Sequence, residues 1–269
     1  MLNGPKEFLG DWVTLMGHQK ACHQIITDLF TPQTIMRDET SRQIFRWYIR
    51  FELFAGTMSG GSTNLPQEWV EASLEYHKRE ARANPHDLSA RFEECFAMNR
   101  ALAADFTILM KTKLKNEIAY DRFIVQANQL MEQITAFGKK LRNMFTDSST
   151  SAKSCFMVSL PDDLRHMDSD GATPFYSNEL FTMNFVLLDF WTVELMVKQQ
   201  ILQESQFKLA PIALKQCSMV EAVQVSDQAR TGALIACQAA IGMASLFLPQ
   251  EQRYIDWVRR KFASIEQSG

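Results

Sequence analysis

Residues Leu180–Leu202 read LFTMNFVLLDFWTVELMVKQQIL, and 15 of these 23 side chains are hydrophobic. A run of this length is long enough to cross a bilayer. Asp189, Glu194 and Lys198 interrupt it, however, and a charge near the middle of a lipid-facing helix is costly. A helix enclosed by other protein accounts for the same pattern without that cost. The stretch therefore predicts a central core helix in a large all-α bundle, and no membrane insertion.

The same grammar extends in both directions. Gly and Pro are sparse, at 11 and 8 copies, and they fall between long periodic segments, as helix stops do. Toward the N-terminus, helices are expected over about Lys6–Phe30, Glu39–Ser59, Pro66–Ala83, Asp87–Met110 and Asn116–Phe145. Thr31-Pro32, Gly60-Gly61 and Asn84-Pro85 separate the first four. Pro66 is expected in a first helical turn, where its missing N–H costs nothing. The core helix itself is expected over Asn178–Ser205, followed by Pro211–Val225, Ser226–Leu248 and Gln250–Glu266. In the third of these four, Ala229, Ala233, Ala236, Ala240 and Ala244 form a small-residue face, which lets a neighbouring backbone approach closely. That face is expected against the core helix.

Between Thr146 and Phe175 the periodicity fails, and Ser, Asp, Gly and Pro dominate. So long a gap reads as a binding loop, a lid or a linker. No strand-type alternation of useful length is visible. Residues 1–269 thus read as one helical domain, a single large bundle of about nine or ten helices with a long central loop at about 146–175.

Composition excludes several functions. Lys and Arg number 28 against 31 Asp and Glu, a net charge of -3, so the basic excess of a nucleic-acid-binding domain is missing. The five cysteines are scattered and never paired as C-x-x-C, which fits free buried thiols in a reducing compartment. The first ten residues hold no apolar signal core. No G-x-S-x-G, P-loop, G-x-G-x-x-G or H-E-x-x-H motif is present, and no catalytic centre is expected.

The chemistry-bearing clusters have plain structural readings beside sharper ones. His18 and Cys22 lie one helical turn apart, but His23 points about 100° away from Cys22 on an α-helix, so the three do not converge on one metal. Asp162, Asp163 and Asp168 have the spacing of the Mg²⁺-binding carboxylates of isoprenoid diphosphate synthases, yet they follow Pro161 in the aperiodic segment, where a solvated loop is the simpler account. Arg42, Arg46 and Arg50 make a basic helix face, and Lys111, Lys113 and Lys115, like Arg259, Arg260 and Lys261, make short runs. Each reads as a solvated face or as a contact for an acidic partner or phosphate. Asp189 must be paired, protonated or hydrogen-bonded if it is buried, either as the anchor of a core network or as the polar group that orients a ligand. Met183, Phe185, Phe190, Trp191 and Met196 surround it in sequence, and with Trp47 and Phe51 they are the candidate lining of an apolar pocket between helices.

One segment carries a family resemblance. Phe45-Arg46-Trp47-Tyr48-Ile49-Arg50-Phe51-Glu52-Leu53-Phe54-Ala55-Gly56-Thr57-Met58-Ser59-Gly60-Gly61-Ser62-Thr63-Asn64-Leu65 resembles the signature of the regulatory domain of fungal zinc-cluster transcription factors. That signature is an aromatic helix of the type WYxxFDxxAxxxSG followed by a polar turn and a Leu. Tyr254–Glu266 resembles the closing W-x-R-x-K-F-x-x-I-E helix of the same family, and Trp12 with Gly17-His18-Gln19-Lys20-Ala21 loosely matches its opening helix with His and Gly rearranged. Glu52 stands where the family has Asp. The zinc-binding cysteine cluster is missing from this chain, so the resemblance implies zinc and DNA only through a module not present here.

What the resemblance implies is a role rather than a reaction: a helical domain, nuclear or shuttling with the cytoplasm, that restrains or licenses transcriptional activation. A sterol-sensing subgroup is similar in plan and implies an apolar small-molecule ligand, which would shift the balance between two arrangements of the helices and the 146–175 loop. The competing expectation is a ligand-free scaffold acting through a protein partner or self-association, marked by a filled core and an exposed apolar patch.

Overall fold

The computed structural model describes residues 12–58, 63–144, 155–159, 164, 173–230 and 232–268. The all-α expectation holds: 77% of the described residues are helical. Among the described residues the helices are α1 (Trp12–Leu29), α2 (Glu39–Met58), α3 (Gln67–Ala83), α4 (Leu88–Leu114), α5 (Tyr120–Asn143), α6 (Met183–Gln200), α7 (Gln206–Val225), α8 (Ala233–Ser245) and α9 (Gln252–Ser268). A 3₁₀ turn at Asn178–Leu180 precedes α6.

The helix ends follow local chemistry. Asp38 caps α2, accepting bonds from Ser41 N at 2.9 Å and Ser41 Oγ at 2.6 Å. Those bonds hold its carboxyl below the usual range. Pro66 sits one residue before α3 rather than inside it, in extended backbone, and its carbonyl receives the first bond from Trp69 N.

Three expectations are corrected. The helix expected to start at Pro211 starts at Gln206, with Pro211 inside it. Pro211 lies on the exposed side, where the carbonyl one turn earlier can turn to water when its N–H partner is missing. The helix expected from Ser226 begins only at Ala233, because Gly232 adopts a left-handed φ of 86° and ends a turn there. The segment read as free of strands carries two: β1 (Cys155–Val158) and β2 (Thr173–Tyr176), paired antiparallel with Cys155 opposite Tyr176. At four residues each, they are too short to show alternation.

Where the sequence reads as one body, the chain divides into two compact units: Met1–Asn84 with Arg100–Gln126, and Pro85–Asn99 with Ala127–Gly269. In the first unit α1 packs on α2. The Phe45 and Trp69 rings join α2 to α3 with centroids 5.8 Å apart.

The second unit is organised around α6, which packs on α7, α8 and β2, while α9 closes over α8. The stretch 178–200 is apolar and long enough to cross a membrane, but 67% of its 18-residue apolar window is buried inside the protein, as a core helix requires. In α8, which packs on α6, α7 and α9, Ala240 and Ala244 of the expected small-residue face are buried, Ala233 and Ala236 are half-buried, and Ala229 lies before the helix. Asn184, fully buried at the start of α6, binds both polar groups of Tyr176: its Oδ1 accepts from Tyr176 N at 2.9 Å, and its Nδ2 donates to Tyr176 O at 2.7 Å.

Candidate functional site

The segment Phe45–Leu65 builds a buried polar chain. Phe45, Tyr48, Ile49, Glu52 and Leu53 recur at helical spacing and are all buried in α2. Glu52 has no exposed surface. Its Oε1 accepts a short bond from the backbone N–H of Asn64, and its Oε2 lies 3.3 Å from Tyr48 Oη. Tyr48 Oη is also 3.1 Å from His23 Nδ1 on α1. A buried carboxylate needs donors, so the Tyr48 proton points to Glu52 and His23 Nδ1–H donates to Tyr48. Burial, and then the Glu52 charge, push the Tyr48 phenol far up. Glu52 thereby ties the turn after α2 back onto the helix. Glu52 is thus a structural anchor.

The expectation of a solvated basic face on α2 is corrected for two of its members. Arg42 is turned inward: it donates to Met36 O at 2.9 Å, pairs with Glu39 at 2.8 Å and lies 4.8 Å over the Tyr76 ring. Arg46 reaches the same Glu39 at 3.9 Å. These groups surround His77, which is buried in α3 and meets Tyr76 edge-on at 5.2 Å. Burial first, and then Arg100, Arg46 and Arg42, lower its pKa to about 4. His77 is therefore neutral at neutral pH. Trp69, Ser73, His77 and Ala81 share the spacing of one buried helix face, the signal in the sequence that places His77 inside.

Beside the Glu52-anchored turn lies an open cleft of about 200 Å³, lined by residues 63–67 of the turn and by Thr107, Ile108 and Lys111 of α4. Clefts that enclose drug-sized molecules run from about 300 Å³ upward. Asn64 Nδ2 is buried next to it without a hydrogen-bond partner among the described residues.

The predicted pocket residues divide by environment. On α6, Met183, Phe190, Trp191 and Met196 are buried, while Phe185 and Asp189 are half-buried. Trp47 is 77% exposed and Phe51 half-buried on α2. Phe190 is wedged against α5: its ring centroid is 5.8 Å from that of Phe137, and its Cζ lies 2.7 Å from where a Cβ on Gly138 would stand. Only glycine admits the ring at that distance. Phe190 thus packs directly on α5 at Gly138. Phe185 stacks edge-on with Phe181, which stacks on Phe175 of β2. Two further amides bind the α6 backbone. Asn99 Nδ2 donates to Val186 O at 3.0 Å, and Gln216 Nε2 donates to Leu188 O at 3.3 Å and to Thr192 Oγ1 at 2.9 Å.

The closing helix is locked by a second polar cluster. Lys261, read as part of a solvated run, is buried and pairs with Glu221 of α7 at 2.6 Å. It also donates a short bond to Gln224 Oε1, and Trp257 Nε1 donates to the same Glu221. Trp257 and Lys261 thus share one carboxylate. Burial pushes the Cys217 thiol well up and that of Cys95 to about 12, leaving both as weakly reactive thiols at neutral pH.

On α1, His23 is committed to Tyr48, and His18 and Cys22 lie exposed. Asp162, Asp163 and Asp168 fall outside the described residues, as do Gly60-Gly61 and most of the 146–175 loop. Comparison of the chain with family models, with curated proteins and with solved structures found no match.

Proposed function

We propose that this chain is the regulatory domain of a fungal zinc-cluster type of transcription factor, controlling activation in the nucleus and reaching DNA through a module outside the chain. The observation that carries the reading is the Glu52 anchor. The acid at the position that resembles the family motif is fully buried and bonded to the backbone of the motif's own turn. That gives the spacing between helix and turn a physical reason. The closing motif is similarly spent on structure, through Trp257 and Lys261 on Glu221.

Within that reading, the packing of α6 favours action through surfaces over an apolar ligand held among Met183, Phe190, Trp191 and Met196. The wedge of Phe190 on Gly138 occupies space such a ligand needs, and Ile44 and Trp47 stand exposed on α2 for a protein partner or a second copy. The test is a fungal reporter strain in which the chain is placed between a DNA-binding module and an activation segment. Reporter output falls several-fold with the chain present and recovers with Glu52→Ala. Equal output with and without the chain removes the proposal.

A further inference from the structure

The turn that joins α4 to α5 carries a concentration of exposed apolar side chains that packing does not explain. Leu114 is 63% exposed, Tyr120 74%, Val125 55% and Ile124 38%. They fall within twelve residues, all in the first compact unit. The two arms meet at this end, where Lys113 Nζ lies 4.4 Å over the Phe123 ring, and Asn116 turns the chain with a φ of 56°. Lys111, Lys113, Lys115 and Arg122 accompany the apolar groups, against Glu117 and Asp121. The end is therefore locally basic in a chain of net charge -3. The C-terminal dipole of α4 accounts for lysines here. It does not account for Leu114, Tyr120 and Val125 beside them.

We infer that this hairpin end is a contact for the surface of an anionic membrane. Three features select that occupant. Aliphatic side chains have neither stacking nor hydrogen-bonding partners on nucleic acid, whereas Leu, Ile and Val gain by entering the boundary between headgroups and acyl chains. Tyr120 combines an apolar ring with a polar tip, the residue type that collects at that boundary. Lysines beside such a patch lay their alkyl stems along it and present charge to anionic headgroups. The Lys115–Glu117 pair, at 3.8 Å with both partners more than half exposed, is a surface pair of little strength and leaves Lys115 available to a denser anionic surface. The contact is adsorption to one face of the bilayer and spans nothing. It goes beyond the regulatory reading and does not depend on it.

The test is co-sedimentation of the full chain with vesicles of phosphatidylcholine alone or with about 30% phosphatidylserine. Binding to the anionic vesicles is expected to exceed binding to the neutral ones by about tenfold, and to drop by a similar factor when salt is raised toward about 0.5 M. The double variant Leu114→Glu/Tyr120→Glu loses the binding, while Phe207→Ser, which removes a different exposed ring, keeps it. Circular dichroism checks that both variants keep their helix content. No preference for anionic vesicles overturns the inference, as does equal loss in both variants. Binding of a single-stranded oligonucleotide that survives Leu114→Glu/Tyr120→Glu, with no vesicle binding in the parent chain, assigns the lysines to nucleic acid instead.

Discussion

Two helices of similar length, α2 and α6, are buried by opposite means. Along α6 eleven residues are buried and ten of them are apolar, with Asn184 the exception. Along α2 the buried face alternates Phe45, Tyr48 and Ile49 with Ser41 and Glu52, and Arg42 and Arg46 fold inward beside it. Burying α6 draws on the area removed from water, which is non-directional, so its neighbours need the right volume. Burying α2 depends on every donor finding its acceptor, because a buried polar group without a partner costs more than a bond contributes. The first kind of core tolerates changes of chemistry and resents changes of shape. The second kind does the reverse.

The largest expected break of that contrast is Phe190→Ala. It removes an aromatic side chain from the apolar core and should lower unfolding free energy by about 3–5 kcal/mol in chemical denaturation. Gly138→Ala alone should also destabilise, by about 1–3 kcal/mol, because the new methyl meets Phe190. In the Phe190→Ala background the same methyl enters emptied space, and the cost of Gly138→Ala should shrink or vanish. A double-mutant cycle that finds the two costs additive means the wedge is not rigid.

Next in size is the response of the polar core to acid. His77 has a folded pKa of about 4, below the ordinary value of about 6.5. The unfolded chain therefore binds the extra proton first as pH falls. The stability linked to neutral His77 is whole above about pH 6.5 and is lost as pH drops toward 4, by an amount on the order of 3 kcal/mol. Denaturation midpoints between pH 7 and 4 should show that slope, and His77→Asn should flatten it. A slope unchanged in the variant assigns the acid response to other groups.

A smaller effect is expected for Tyr48→Phe, which keeps the ring and removes the donor to Glu52 and the acceptor for His23. Leaving one buried carboxylate oxygen short of a donor should cost about 1–3 kcal/mol. By contrast, Gln19→Leu should stabilise the protein, by about 1 kcal/mol. Gln19 is fully buried in α1, and both its amide atoms lack partners among the described residues. A destabilised Gln19→Leu, read by thermal unfolding, means that the amide is engaged.

The apolar half of the contrast was legible in sequence. The core helix, its burial and the small-residue face of α8 followed from hydropathy and spacing, which record what solvent avoids. The polar half was less so. Arg42, Arg46 and Lys261 read as solvated because a cation gives the same signal whether it faces water or a carboxylate, on its own helix or on another. His77 shared its helix face with Trp69 and Ala81, but a lone histidine does not declare its neighbours. Pro211 misled about a helix start because the cost of an internal proline depends on exposure, and exposure is a tertiary property. Of the suggested pocket, the burial of Met183, Phe190, Trp191 and Met196 followed from their period. The fact that Gly138 on another helix receives the Phe190 ring did not, since shape complementarity lies between segments distant in sequence.

Asn184 has a consequence for the hairpin. Its amide presents an acceptor and a donor edge that match the N–H and C=O of one residue, Tyr176. Successive strand residues face opposite sides, so a one-residue slip of β2 turns Thr173, Phe175 and Tyr176 out of their places. A four-residue strand cannot fix its own alignment by area alone. Asn184 acts as the start codon of that strand: it sets the frame in which Phe175 meets Phe181 and Cys155 comes to lie opposite Tyr176.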